Sequence, residues 1–178
     1  MSQRSFTTIE NQWITLSDGT RLSARIWMPD GTDADPVPAV FEFLPYRKRD
    51  GTSLRDESTY PVLAAAGIAG VRVDIRGSGE SEGVIDGEYT ELELANACEL
   101  IAWIADQHWC NGSVGMMGIS WGGFNSLQVA ALRPPALRPL SRSHRTSRRR
   151  PLQPIREETR THAPRCGHQY REPPQGDR

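Results

Sequence analysis

Residues 115–132, GMMGISWGGFNSLQVAAL, form an apolar run that breaks at a serine between glycines and resumes with helical spacing. Gly118-Ile119-Ser120-Trp121-Gly122 fits G-x-S-x-G, and the apolar strand before it and the helix after it are the setting in which that pattern carries chemistry. A serine on so sharp a turn is strained and its hydroxyl stands clear of the sheet, while the flanking glycines let backbone pass where a Cβ would clash. The Trp121 amide, at the start of the helix, is placed to donate to a developing oxyanion. The implied chemistry is attack on a carbonyl through an acyl-serine, with Ser120 as nucleophile.

A serine hydroxyl becomes a good nucleophile when a histidine takes its proton and a carboxylate orients that histidine. In this setting the chain order is serine, then Asp or Glu, then His. Past Ser120 the acids are Glu157, Glu158, Glu172 and Asp177, and the histidines are His144, His162 and His168. No strand pattern there would hold any of them within hydrogen-bond reach, so the triad Asp and His are expected to be missing from this chain.

The elements that must position the serine follow from local pattern. QWITL, the turn SDG and RLSARIWMP predict an antiparallel hairpin, and AVFEFLPY a strand stopped at Pro45. After a polar loop over 47–57, Ser58 or Thr59 is expected to cap a helix with Pro61 in its first turn, ended by Gly67. IAGVRVDIRG predicts a buried strand. Thr90 and Glu93 make a capping box, and Leu94, Cys98, Ile101 and Ala105 give one apolar face to a helix over roughly 90–107. Asn111-Gly112 predicts a turn, SVGMMGI a strand, and WGGFNSLQVAALR a helix ending before Pro134. Strands alternating with helices mean a parallel sheet covered on both faces, an α/β architecture.

Four stretches, LPYRK (44–48), VDIRGSGESEG (73–83), WCNGSVGMMGISWGG (109–123) and ALRPPAL (131–137), resemble in type, spacing and order the X-Pro dipeptidyl-peptidase and cocaine esterase-like serine hydrolases. The resemblance covers roughly residues 8–137 and implies the N-terminal portion of an α/β-hydrolase fold, cut after the nucleophile helix. It implies Ser120 as acylating nucleophile, the Trp121 N–H and the Tyr46 phenol as oxyanion donors, and a small-molecule ester, amide or X-Pro peptide as substrate. In the family another core strand follows ALRPPAL. Here that would leave SVGMMGI as a bare, apolar sheet edge.

Composition divides the chain. Residues 1–136 carry 10 Lys and Arg against 18 Asp and Glu, whereas 137–178 carry 11 Arg, no Lys and 4 acids. The second segment holds seven hydrophobic residues and six prolines in 42, too little apolar area to offset ordering, so 138–178 is expected to be a disordered Arg/Pro-rich tail, of the kind an out-of-frame reading produces. The domain proper is expected to be 1–137. The rival reading is a non-catalytic scaffold whose basic tail binds nucleic acid; without interleaved aromatics, no nucleic-acid partner is expected.

Neither a leader nor a membrane-spanning apolar stretch is visible, which predicts a cytoplasmic protein. Gly77, Gly79 and Gly83 miss the dinucleotide spacing and sit beside Glu80 and Glu82, so that loop is read as a flexible turn. His108-x-Cys110 and Cys166-x-His168 do not match metal-ligand spacing. No metal or cofactor is called for.

Overall fold

The computed structural model describes residues 4–138. The expectations for the basic tail, including Glu157, Glu158, Glu172, Asp177 and the three histidines beyond Ser120, lie outside the described residues.

The elements run β1 (Phe6–Thr15), β2 (Arg21–Pro29), β3 (Val37–Leu44), α1 (Ser53–Ala65), β4 (Ala69–Asp74), α2 (Glu91–Ala105), β5 (Cys110–Met116) and α3 (Trp121–Leu132). They build a mixed five-stranded sheet ordered β1-β2-β4-β3-β5. β1 and β2 form the antiparallel hairpin, β2 runs antiparallel to β4, and β3 lies parallel to both β4 and β5.

Alternation along the central strands sorts two environments. Val37, Ala39, Phe41 and Phe43 of β3 and Ala69, Val71 and Val73 of β4 join Ala97, Leu100, Ile101 and Ile104 of α2 and Val129 of α3 in the main apolar core. On the other face α1 packs against β2 and β4. There Glu42 and Arg72 are fully buried with Asp56 and Tyr60 of α1, and the Tyr60 ring stacks on Trp27 at 4.3 Å.

Three local expectations are corrected. Helix α1 starts at Ser53 after Thr52, with Pro61 well inside it, so Ser58 and Thr59 are not caps. Their hydroxyls instead bond back to the Arg55 carbonyl, at 2.7 and 2.9 Å. The burial of Asp56 and the pairing of Arg55 with Glu42 explain why a polar stretch is helical from its beginning. Asn111-Gly112 is not a turn between elements but lies inside β5, where Gly112 at φ 79° sits in a register shift opposite Val37 and Ala39. A bulge uses the same left-handed glycine as a turn, so the dipeptide signals both. Nor is β5 wholly bare at its outer edge: Leu137 pairs parallel with Val114, the Val114 N–H donating to the Ala136 carbonyl at 3.0 Å and the Arg138 N–H to the Val114 carbonyl at 2.8 Å.

α2 is capped by Thr90, whose hydroxyl accepts from the Glu93 N–H at 3.2 Å. α3 ends at Leu132 with Arg133 left-handed, just before Pro134. Among the described residues no helix is long and apolar enough to cross a membrane.

Candidate active site

Ser120 follows β5 and precedes α3 with φ 48° and ψ −114°, a conformation costly for any residue with a Cβ. The turn closes because Gly118 and Gly122 touch: a Cβ on Gly118 would stand 2.3 Å from the Gly122 carbonyl carbon, and one on Gly122 would meet the Leu44 side chain at 2.8 Å. The Ser120 side chain makes no capping bond and the residue is exposed, so its hydroxyl is open to a substrate.

Tyr46 lies two residues past the end of β3, which neighbours β5 in the sheet. Parallel strands put the two ends together, and the Trp121 N–H donates to the Tyr46 hydroxyl oxygen at 3.3 Å. The two expected oxyanion donors therefore meet at the edge that carries Ser120. Among the described residues, three of the four non-glycine residues with positive φ border this place: Arg47 (54°) next to Tyr46, Ser120 itself, and Tyr89 (54°), whose ring tilts against Trp121 at 4.9 Å. Backbone strain concentrated in this way is characteristic of sites held for function.

Two supports were not read from the sequence. The loop carrying Tyr46 is tied to the end of β4: the Asp74 carboxylate accepts from the Lys48 N–H at 2.8 Å and the Glu80 N–H at 3.4 Å, and the Ser78 hydroxyl donates to the Pro45 carbonyl at 2.7 Å. Lys48 is fully buried, with its ammonium on Glu80 and 4.0 Å from Asp74. Burial pushes the Asp74 carboxyl above its ordinary value despite Arg72 and Lys48. Burial raises Glu80 too, but hydrogen bonds from Lys48 and Arg49 outweigh it and leave that carboxyl lowered. The glycine-rich stretch 77–83 is thus a buttress rather than a flexible turn. The second support is Glu93, whose carboxylate accepts from the Trp121 indole N–H at 2.6 Å. The spacing of Thr90 and Glu93 signalled only a cap.

Among the described residues no histidine stands beside Ser120. Their one histidine, His108, precedes β5 at the opposite end of the strand and is exposed, 3.1 Å from Asp33. Among the described residues no three His, Cys, Asp or Glu side chains gather as a metal would require.

A strand, a strained serine and a helix at the edge of such a sheet define an α/β-hydrolase fold. By sequence the chain belongs to the X-Pro dipeptidyl-peptidase (S15) family, whose model matches residues 18–147. It is 33% identical over 135 residues to the cocaine esterase of a Rhodococcus species, covering 73% of this chain and 22% of that protein. The chain thus spans less than a quarter of that relative. Among solved structures, a CocE/NonD family hydrolase from Staphylococcus aureus superposes with a TM-score of 0.64 at 24% identity, covering 74% of this chain and 26% of that one. An α-amino acid ester hydrolase superposes at 0.59 with 26% identity, over 77% and 26%.

Proposed function

We propose that this chain carries the nucleophile and oxyanion side of a serine hydrolase acting on a small-molecule ester, amide or X-Pro peptide. Ser120 Oγ attacks the carbonyl carbon while its proton passes to a base, and the carbonyl oxygen gains the charge. That oxygen accepts from the Trp121 N–H and the Tyr46 O–H. Collapse of the tetrahedral species expels the alcohol or amine and leaves acyl-Ser120, which water then hydrolyses. The single observation that supports this most is the 3.3 Å approach of the Trp121 amide and the Tyr46 hydroxyl beside a serine held at φ 48°. Both donors already converge on one place, and as charge develops the Trp121 N–H transfers its hydrogen bond from the Tyr46 hydroxyl oxygen to the carbonyl oxygen.

The described residues supply donors but no histidine beside Ser120, so turnover should sit roughly 10³–10⁶-fold below an enzyme with a complete triad. A base added from solution bypasses that deficit. With p-nitrophenyl acetate and 2-methylimidazole, a base too hindered to be a good nucleophile, acetyl groups should accumulate on the peptide containing Ser120 and not on that containing Ser23, by mass spectrometry. Indiscriminate acetylation, unchanged in Ser120→Ala, would overturn the proposal.

A further inference from the structure

Glu93 is the third residue of α2, buried to 8% exposure. In a capping box its carboxylate would return to the amide of the capping residue, Thr90. It does not. Oε2 accepts from the Tyr89 N–H at 3.1 Å, one residue further out, and Oε1 accepts from the Trp121 indole N–H at 2.6 Å and from the Asn125 side-chain amide. Three donors from the entry to α2 and the first turns of α3 converge on two oxygens. Each bond is charge-assisted, and the group sits at a helix N-terminus that favours an anion.

The donors bear directly on the site. Trp121 is the first residue of α3, and its backbone N–H is the one that meets the Tyr46 hydroxyl. Asn125 lies one turn on, fully buried. Tyr89 holds a left-handed backbone and rests its ring on Trp121. Fixing the indole and Asn125 to one buried carboxylate fixes the rotation of the first turn of α3 about its axis, and with it the direction of the Trp121 amide. The Asn125 amide also donates to the Phe43 carbonyl at 3.4 Å, which ties the same turns to β3.

We infer that Glu93 is a positioning residue: through the Trp121 indole and Asn125 it sets where the oxyanion-donating amide of Trp121 points. Its consequence for catalysis rests on the hydrolase reading above, whereas the mechanical link does not. Glutamine is nearly the same shape but must turn an NH₂ toward one set of donors, so Glu93→Gln breaks part of the array with little change in volume.

Amide and indole hydrogen exchange by ¹H–¹⁵N NMR on the full chain tests this. The Trp121 indole resonance, assigned by its loss in Trp121→Phe, should be the slowest-exchanging partly exposed indole. In Glu93→Gln both that indole and the Trp121 backbone amide should exchange at least about tenfold faster, the loss of one charge-assisted bond, while the β1–β2 amides keep their parental rates. Ser120 acetylation should fall about tenfold in the same variant. Parental exchange at both groups overturns the inference, as does a faster indole with an unchanged backbone amide. If Glu93→Gln does not fold, Trp121→Phe severs the link from the other end, and the residue 121 amide must then exchange faster. Absence of Ser120 acetylation in the parent would count against the hydrolase reading and leave the exchange result standing.

Discussion

The two faces of β3 and β4 are made by neighbouring residues yet run on different physics. Toward α2, Phe41, Phe43, Val71 and Val73 exclude water with no polar group among them. Toward α1, Glu42 and Arg72 are just as deeply buried, with Arg72 Nε 3.8 Å from Glu42, 3.6 Å from Asp56, and Nη1 3.6 Å from Asp74. Tyr60 donates to Glu42 at 2.8 Å, and hydrogen bonding to Glu42 drives the Arg55 guanidinium further upward. Burying such ions gains little net stability, because desolvation consumes most of the attraction. What the ionic face supplies is direction: it runs along β4 to Asp74, from there to the Lys48 amide, and so to the loop that aims Tyr46. The apolar face holds the sheet together, and the ionic face aligns the loop that carries Tyr46.

Four substitutions probe this division, in falling order of effect on stability. Phe41→Ala should cost about 4 kcal/mol in urea unfolding, equally at pH 5 and pH 8. A cost below about 1 kcal/mol would mean the apolar face is not the main source of stability. Arg72→Met should cost about 3 kcal/mol, because Glu42, Asp56 and Asp74 lose one buried cation and Arg55 remains only to the first two. A cost below about 1 kcal/mol would show that the guanidinium is not needed to balance those carboxylates.

Asp74→Asn should cost about 1 kcal/mol, with a pH dependence of definite sign. The Asp74 carboxyl is raised in the fold, so the native state holds its proton more tightly than the unfolded chain. Its contribution is complete below the unfolded value of 3.8 and fades as the pH climbs through the higher folded value. The parent's advantage over Asp74→Asn must therefore shrink from pH 4 toward neutrality; growth over that range would invert the assignment. Tyr46→Phe should cost less than about 0.5 kcal/mol, its phenol being partly exposed. On the proposed hydrolase reading it should nonetheless slow Ser120 acetylation about a hundredfold, as loss of an oxyanion donor would.

What could be read in advance follows the same division. The hairpin, β4, α2 and both ends of α3 were legible because periodicity, a capping threonine and Pro134 act over a few residues. The serine turn was legible because glycine spacing records a close approach within one local segment. Asp74, Lys48 and Glu93 were not, since their partners come from elsewhere in the chain and nothing in VRVD or ELEL says which way a charge faces. The Asn111-Gly112 bulge and the early start of α1 failed for a related reason. Each is decided by what lies opposite, Val37 and Ala39 in one case and Glu42 in the other.

The strand order also sets a schedule. β1 and β2 are neighbours in both sequence and space, but β3, one strand in from the edge, pairs through Val40 with Gly70 on one side and with Gly115 on the other. Closing loops of that length costs chain entropy before any contact rewards it, and a chain emerging N-terminus first must keep β3 open on both edges until each partner has been made. The hairpin can form early, whereas Tyr46 and Ser120 come together only when β5 docks. In pulse-labelled refolding the amides of β1 and β2 should gain protection first and the Trp121 amide last, so that the candidate site is the final piece of this sheet to come into being.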